Sequence, residues 1–444
     1  MSGPATQAVV DALETLLFPP SSPAAGRVIV AYSGGVDSTA LLLGVAALRE
    51  GRALDCRAFH FDHRLHPASA AWAAHCRARC AALALPLLLE VAPGAPPAGA
   101  SIEAWAREQR YAAAARLLAP GDWLLTAHHR DDLAETLLLA ALRGSGPHGL
   151  AAIAPSRPLG AGLLLRPLLD LPHATLAAAV AEAGVDCLHD PANVDPRHDR
   201  SYLRHSVMPL LAARFPAAVA GLARAAALQR ATVQLLDAEA DAALVALGAS
   251  ATILPLDSLA AFDDARARLV LRRWLKRASG HAPDARVLAH VLRELVRSRH
   301  DATPLIAWRS GELRRHRQRL YWLATPALPF TTALVWAPAA PLALPGGVLR
   351  ARRTRGSGMR ASLAAAPLSV RPRRGGERLK PLGRRHGISV KRLLQDAGMP
   401  PWQRAQLPLI WAGERLVAVA DLALAAEAAA SAEEDGIVFE YERV

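Results

Sequence analysis

Two apolar patterns alternate through the first 215 positions: short unbroken runs, and longer stretches with an apolar residue every three or four places. Val28, Ile29, Val30 and Ala31 form a run of the first kind, the pattern of a strand buried on both faces. Asp37, Ser38 and Thr39 then open a stretch with Leu41, Val45 and Leu48 at helical spacing, which Gly51 ends. Arg57 to His63 predicts a second strand, 70–85 a helix, and Leu87 to Val91 a third strand. Ser101 is the expected N-cap of a helix carrying Glu103, Arg107, Arg110 and Tyr111, closed by Pro120 and Gly121. Trp123 to Ala127 predicts a further strand, with a helix beginning near Leu133. Val9, Val10, Leu13, Leu16 and Leu17 predict an amphipathic helix packed on this region. Strands alternating with helices predict an α/β fold, a doubly wound parallel sheet whose ligands sit at the carboxyl ends of the strands.

The pattern changes at Pro216. Ala-rich helical periodicity runs to about Ser279, and Leu288, Val291, Leu292, Leu295 and Val296 predict another helix. Leu320 to Leu323 predicts a strand within this mainly helical middle domain, 216–325. A small α+β domain is expected over 326–444, with a helix from Ser389 to Ala397 capped by Gly398 and a hairpin of Leu407 to Trp411 with Arg415 to Ala420.

Charge adds a partner to this outline. The chain of 444 residues carries a net charge of +13, nearly all of its basic residues being Arg. From Arg350 to Arg392 the run is one-signed except for Glu377, the pattern of a surface that tracks phosphates rather than of a merely solvated face. Cys56, Cys76, Cys80 and Cys187 are few and scattered, as in a reducing cytoplasm, and no second ligand pair joins Cys76 and Cys80 to make a zinc site. No apolar span of membrane length and no secretory leader pattern is seen, so a cytoplasmic protein without a membrane partner is expected.

The candidate chemistry begins at Ser33-Gly34-Gly35-Val36-Asp37-Ser38, between the first strand and its helix. Free amides at a helix N-terminus, glycines that let oxygens approach and two hydroxyls make a phosphate site, and Asp37 is placed to hold a Mg²⁺ riding on the phosphates. Neither G-x-x-x-x-G-K-[ST] nor G-x-G-x-x-G is present here. His60 to His63 and His128 to Asp132 end other strands on the same sheet edge. Asp131 and Asp132 have two readings, as caps of the next helix or as handlers of metal and nucleophile; Asp37 on the same edge favours the second.

The Ser33 loop resembles that of the N-type ATP pyrophosphatases, the PP-loop superfamily with its adenine nucleotide alpha hydrolase-like fold. Further stretches narrow the resemblance to the bacterial tRNA(Ile)-lysidine synthetase family: Glu103-Ala104-Trp105-Ala106-Arg107 with Arg110-Tyr111, Thr126 to Asp132 with Glu135-Thr136, and Arg143-Gly144-Ser145-Gly146. Arg166-Pro167-Leu168-Leu169, Gly375 to Lys380 and Met399-Pro400-Pro401-Trp402 add to it, so the resemblance covers nearly the whole chain. The chain departs from the family pattern at His189, Ala192 and Ser201.

The resemblance implies an enzyme of three parts, a catalytic domain at 1–215 and the two domains above, the last binding tRNA. It implies that ATP adenylates the wobble cytidine of a tRNA(Ile) with a CAU anticodon and that free L-lysine displaces AMP. Ser33, Gly34, Gly35, Val36, Asp37, Ser38 and His60 would bind ATP with Mg²⁺ on Asp37. Asp37, Asp131 and Asp132 would be catalytic, while Arg107, Arg110, His129, Arg143, Asp190, Asn193, Arg200 and Arg204 would contact substrate. A homodimer is compatible with the sequence. A tRNA-thiolating relative would carry a Cys-x-x-Cys pair, which the chain lacks; a small-molecule ligase would not need the basic third domain; and a non-enzymatic RNA-binding protein would not need Asp37 beside a phosphate loop.

Overall fold

The computed structural model describes residues 3–18, 26–50, 52, 54–296, 304–308, 311–324 and 330–443, so the expected boundary at 325/326 lies outside the described residues. They form two compact units, 1–238 and 239–444.

In the first unit the elements run α1 (Pro4–Leu17), β1 (Val28–Ala31), α2 (Val36–Glu50), β2 (Cys56–Asp62), α3 (Ser69–Ala82), β3 (Leu87–Val91), α4 (Ile102–Leu117) and β4 (Trp123–Leu125). They continue α5 (Arg130–Leu142), α6 (Pro147–Leu150), β5 (Ser156–Leu159), β6 (Gly162–Leu165), α7 (His173–Ala183), α8 (Asp199–Tyr202), α9 (Met208–Arg214) and α10 (Ala218–Ala246). The sheet has the order β3-β2-β1-β4-β6-β5. Its pairs are parallel except for β5, an edge strand antiparallel to β6 that the apolar pattern does not reveal because Arg157 and Pro158 interrupt it.

Alternation along β1 explains why both faces are covered. Val28 and Val30 pack with Val9 and Leu13 of α1, Leu41 of α2 and Leu176 of α7, whereas Ile29 packs with Phe59, Leu124 and the Ala113–Ala114 pair of α4. Ser101 caps α4, its hydroxyl accepting from the Ala104 amide at 3.3 Å. The helix expected from Arg200 to Phe215 is interrupted by a π turn, Leu203–Val207, so that Pro209 falls in the first turn of α9. The backbone stays helical from Tyr202 through Met208, so the wider π turn just before Pro209 is where the helix accommodates a residue with no N–H.

In the second unit α11 (Asp257–Ala260), α12 (Asp264–Ser279) and α13 (Ala285–Val291) pack with a four-stranded antiparallel sheet, β7 (Ile253–Pro255), β10 (Arg319–Leu323), β9 (Gly311–His316) and β8 (Leu305–Trp308), in that order. Only β10 is legible in the sequence. β9 alternates between buried and half-exposed positions, but Arg314, Arg315 and His316 hide that alternation from a reading of apolar residues.

The C-terminal portion holds one core between β11 (Leu334–Trp336), β15 (Leu368–Arg371), β18 (Leu409–Ala412), β19 (Arg415–Val419) and β20 (Ala423–Leu424) on one side, and β12 (Leu342–Leu344), β13 (Gly347–Arg355), β21 (Asp435–Arg443) and β14 (Met359–Arg360) on the other. β16 (Arg378–Leu379) and β17 (Ile388–Ser389) lead into α14 (Val390–Asp396), and α15 (Pro401–Arg404) follows. Ser389 caps α14 and Gly398 follows it at φ 68°, as the sequence predicts. The β18–β19 hairpin through Gly413 also forms.

Candidate active site

The strand order reverses direction on either side of β1, and β4 is its neighbour there. Loops leaving β1 and β4 therefore part to opposite faces and open a crevice at their carboxyl ends.

The Ser33 loop lines that crevice. The Ser38 hydroxyl lies 3.2 Å from the Ser33 amide, 3.0 Å from the Ser33 hydroxyl and 3.0 Å from the Gly35 carbonyl, so it braces the turn from within. Gly34 has φ 86°, and a Cβ there would stand 2.5 Å from Leu188 Cδ1. Leu188 also donates its amide to the Gly34 carbonyl at 2.9 Å, so the segment after α7 clamps the loop. Only glycine meets both demands. Gly35 has no such crowding, its nearest neighbour being the Ser33 hydroxyl at 3.7 Å, which leaves room for an oxygen. His60 is buried, and its Nδ1 donates to the Tyr32 carbonyl at 2.9 Å. It thus steadies the start of the loop.

From β4 comes His129, 1% exposed. Its Nε2 lies 3.6 Å from Asp37 Oδ2 and 3.5 Å from Asp132 Oδ2, and its Nδ1 3.6 Å from Asp131 Oδ2. Burial opposes protonation, but Asp131, Asp37 and Asp132 outweigh it and lift the imidazole to about 10. An imidazolium therefore ties the two loops together at neutral pH. Burial alone would raise Asp131, yet His129 and His173 hold it at about 2, and Asp132 is likewise lowered against burial by His129 and Arg200. His173, missed by a sequence reading that began α7 near Thr175, donates its amide to Asp131 at 2.9 Å and brings Nε2 to 3.4 Å from Asp37 Oδ1. Asp131 thus caps α7, while Asp132 accepts from the His129 amide at 3.1 Å and caps α5. Both readings of the pair meet in one place, since capping leaves the carboxylates in the crevice. Asp37 Oδ1 is buried without a hydrogen-bond partner.

Behind Asp132 stands a second layer. Glu135, 1% exposed, accepts from Arg200 Nε at 3.0 Å and from Arg204 Nε at 2.7 Å. Arg204 Nη2 reaches Asp132 Oδ1 at 3.0 Å, and Arg200 Nη2 reaches the Thr136 hydroxyl at 2.9 Å. Arg200 and Arg204, two of the arginines expected to contact substrate, thus pair with the carboxylates behind the crevice.

The other expected residues are spread more widely. Arg107 and Arg110 lie over Tyr111, at 5.0 and 5.5 Å from its ring centre. Arg143 pairs with Asp199 at 2.9 Å where both are exposed. Asp190 is half-buried just before the turn Pro191–Val194, and the Asn193 side chain lies outside the described residues. Val36 begins α2 behind the glycines. His128, whose Nδ1 lies 2.9 Å from the Thr126 hydroxyl, is driven down to about 3 by burial and is neutral.

Residues 6–211 match the family model described as a PP-loop domain, 254–321 the TilS substrate binding domain, and 368–441 the TilS substrate C-terminal domain. The chain is 42% identical over 422 residues to a tRNA(Ile)-lysidine synthase of Xanthomonas campestris pv. campestris (strain 8004), covering 94% of this chain and 95% of that protein. It is 41% identical over 407 residues to the tRNA(Ile)-lysidine synthase of Alkalilimnicola ehrlichii, covering 91% of each. Among solved structures it is similar to the U34-tRNA thiolase NcsA of Methanococcus maripaludis, at 13% identity and a TM-score of 0.43 over 51% of this chain and 80% of that one.

Proposed function

The chain belongs to the tRNA(Ile)-lysidine synthase family, and we propose that the crevice between the Ser33 loop and the His129 cluster is where it ligates lysine to tRNA(Ile). ATP meets the wobble cytidine there. The C2 oxygen attacks the α-phosphorus, the bond to the β-phosphate oxygen breaks, and pyrophosphate leaves. The amine of free L-lysine then attacks C2, the C2–oxygen bond breaks, and AMP leaves with that oxygen. No protein nucleophile is needed, so catalysis reduces to placing the reactants and balancing charge.

One observation carries this reading: the buried His129 ring stands 3.5 to 3.6 Å from Asp37 of the phosphate loop and from Asp131 and Asp132 of the next one, bringing the three carboxylates around one side chain. The Ser33 to Ser38 turn offers amides and hydroxyls to the β- and γ-phosphates. The lowered Asp131 and Asp132 stay anionic and are weak bases, which suits holding the incoming ammonium, while the attacking amine gives its proton to solvent before it bonds to C2. Arg200 and Arg204, through Glu135, are positioning residues for Asp132. Arg107 and Arg110 would face the RNA, with Arg143 and Asp190 farther out.

The residues fit Mg²⁺ as well. Asp37 Oδ1 is buried and makes no hydrogen bond, with only His173 Nε2 near it at 3.4 Å, which suits an oxygen that would share an ion with phosphates and water. Bound there, Mg²⁺ would neutralise charge on the leaving pyrophosphate. The division into 1–215, 216–325 and 326–444 assigns tRNA binding chiefly to the last part; among the described residues no single helix is long and apolar enough to cross a membrane.

The test is product analysis. Protein given ATP, Mg²⁺, lysine and a tRNA(Ile) with a CAU anticodon should yield one cytidine carrying lysine, seen by nucleoside mass spectrometry, with AMP and pyrophosphate released. AMP formed equally without tRNA, or a sulfur-bearing base, would overturn the assignment.

A further inference from the structure

Beside the crevice lies a group of cations without counter-ions. The guanidinium carbons of Arg107, Arg110 and Arg157 stand 5.0, 5.5 and 4.7 Å from the centre of the Tyr111 ring. Arg166, 5% exposed, donates to the Ala154 carbonyl at 2.6 Å, and its buried Nε has no hydrogen-bond partner. The buried Tyr111 hydroxyl makes no well-formed hydrogen bond either, although the Arg110 and Arg166 guanidinium groups both approach it. No carboxylate pairs with these four arginines among the described residues, whereas Arg200 and Arg204 are both paired with Glu135. Burial works against ionisation of Tyr111, yet Arg107, Arg110, Arg166 and Arg157 together draw the phenol below its usual value, a measure of how positive this place is.

Like charges gathered around one aromatic ring repel each other, and cation–π attraction offsets only part of that. A cluster of this kind is completed by an anion. Guanidinium forks match phosphate oxygens in pairs, and a phenol adds a further donor. We propose that Tyr111 with Arg107, Arg110, Arg157 and Arg166 forms a clamp for phosphodiester groups of the RNA strand that carries the reacting cytidine. This rests on the tRNA reading above and deepens it. The nucleotide phosphates already have the Ser33 loop. Arg107 is exposed and Arg110, Tyr111 and Arg157 half-buried, so the cluster grades from an open rim to the buried Arg166, as a passing strand requires. The clamp also borders the reaction site, since His128 feels Asp132 and Arg200 as well as Arg166 and Arg107.

The shared chemistry is phosphate, and the leaving pyrophosphate is the other source. Full-length protein carrying Arg157→Gln should bind tRNA(Ile) roughly 5-fold more weakly near physiological salt, with the slope of log affinity against log salt reduced by about 0.7 to 0.9 for the lost contact. Its KM for ATP and its inhibition by pyrophosphate should be unchanged. Arg157→Lys should keep the wild-type slope, and Tyr111→Phe should weaken binding without changing the slope. If Arg157→Gln melts early, Arg107→Gln at the exposed rim gives the same reading. Unchanged tRNA affinity and slope in a folded variant overturns the clamp. Weaker pyrophosphate inhibition with unchanged tRNA binding overturns it too and assigns the cluster to the leaving group. Lysidine formation by the wild-type protein on the same tRNA is the control: its absence counts against the family reaction, not against the clamp.

Discussion

Arginine serves opposite ends in the two units. In the first, Arg200 and Arg204 converge on the buried Glu135 and through it fix Asp132. In the second, Arg350, Arg352 and Arg355 project from β13 into solvent and meet Glu442, Glu440 and Glu433 at 3.7, 3.4 and 3.6 Å. A buried pair cannot lose one partner without stranding the other, whereas an exposed pair exchanges its partner for water. The same residue type is therefore structural in one place and nearly free in the other.

The comparison also divides the basic run. It is one-signed along the sequence from Arg350 to Arg392, yet β21 brings glutamates alongside its first third, and Arg371 meets Glu414 at 3.0 Å. Arg373, Arg374, Lys380, Arg385, Lys391 and Arg392 have no such carboxylate among the described residues. The carboxylate partners thus fall mainly on the β13 side of the run, although Arg353 has none among the described residues.

The largest effect is expected where burial and chemistry coincide. Asp37→Ala should lower tRNA-dependent pyrophosphate release by roughly 10²- to 10³-fold, as for loss of a preorganised electrostatic group. Thermal melting should move little; a folded variant that still turns over normally would remove Asp37 from the site. Glu135→Gln comes next. It should destabilise the first unit by about 3 kcal/mol in urea unfolding, while Glu440→Gln on β21 should cost about 1 kcal/mol or less. Equal costs would erase the contrast between the units.

Stability against pH sharpens it further. His129, raised to about 10, gives stability that is full below its unfolded value of about 6.5 and is lost as pH climbs through 10. Asp131, held at about 2, gives stability present above its unfolded value of about 3.9 and lost as pH falls toward 2. The first unit should therefore soften at both ends, and His129→Gln should flatten the alkaline limb measured by melting across pH 7 to 10. The smallest effect is for single surface arginines. Replacing Arg373, Arg374 or Arg392 with Gln should each lower the salt slope of tRNA binding by about 0.7 to 0.9, and replacing Arg350 or Arg352 should leave it nearly unchanged. Substitutions test this better than truncation at 325, because Trp402 packs 5.3 Å from Tyr321 and a cut there would tear one compact unit.

Local chemistry was legible along the chain. The run at Val28, the glycines, the caps at Ser101 and Ser389 and the hairpin at Gly413 depend on neighbours within a few residues, and each formed where its pattern stands. Asp37, Asp131 and Asp132 were likewise readable, since strand ends of a doubly wound sheet share an edge. Their nearness to His129, the cap that Asp131 provides for α7, and the pairing of Arg200 and Arg204 with Glu135 were not. Each joins residues distant in sequence, and whether a charge is spent on a neighbour or left for a ligand depends on what stands within about 4 Å of it. The tertiary structure alone decides that, pairing Arg352 with Glu440 while leaving Arg107, Arg110, Arg157 and Arg166 gathered around Tyr111 with no carboxylate among the described residues to answer them.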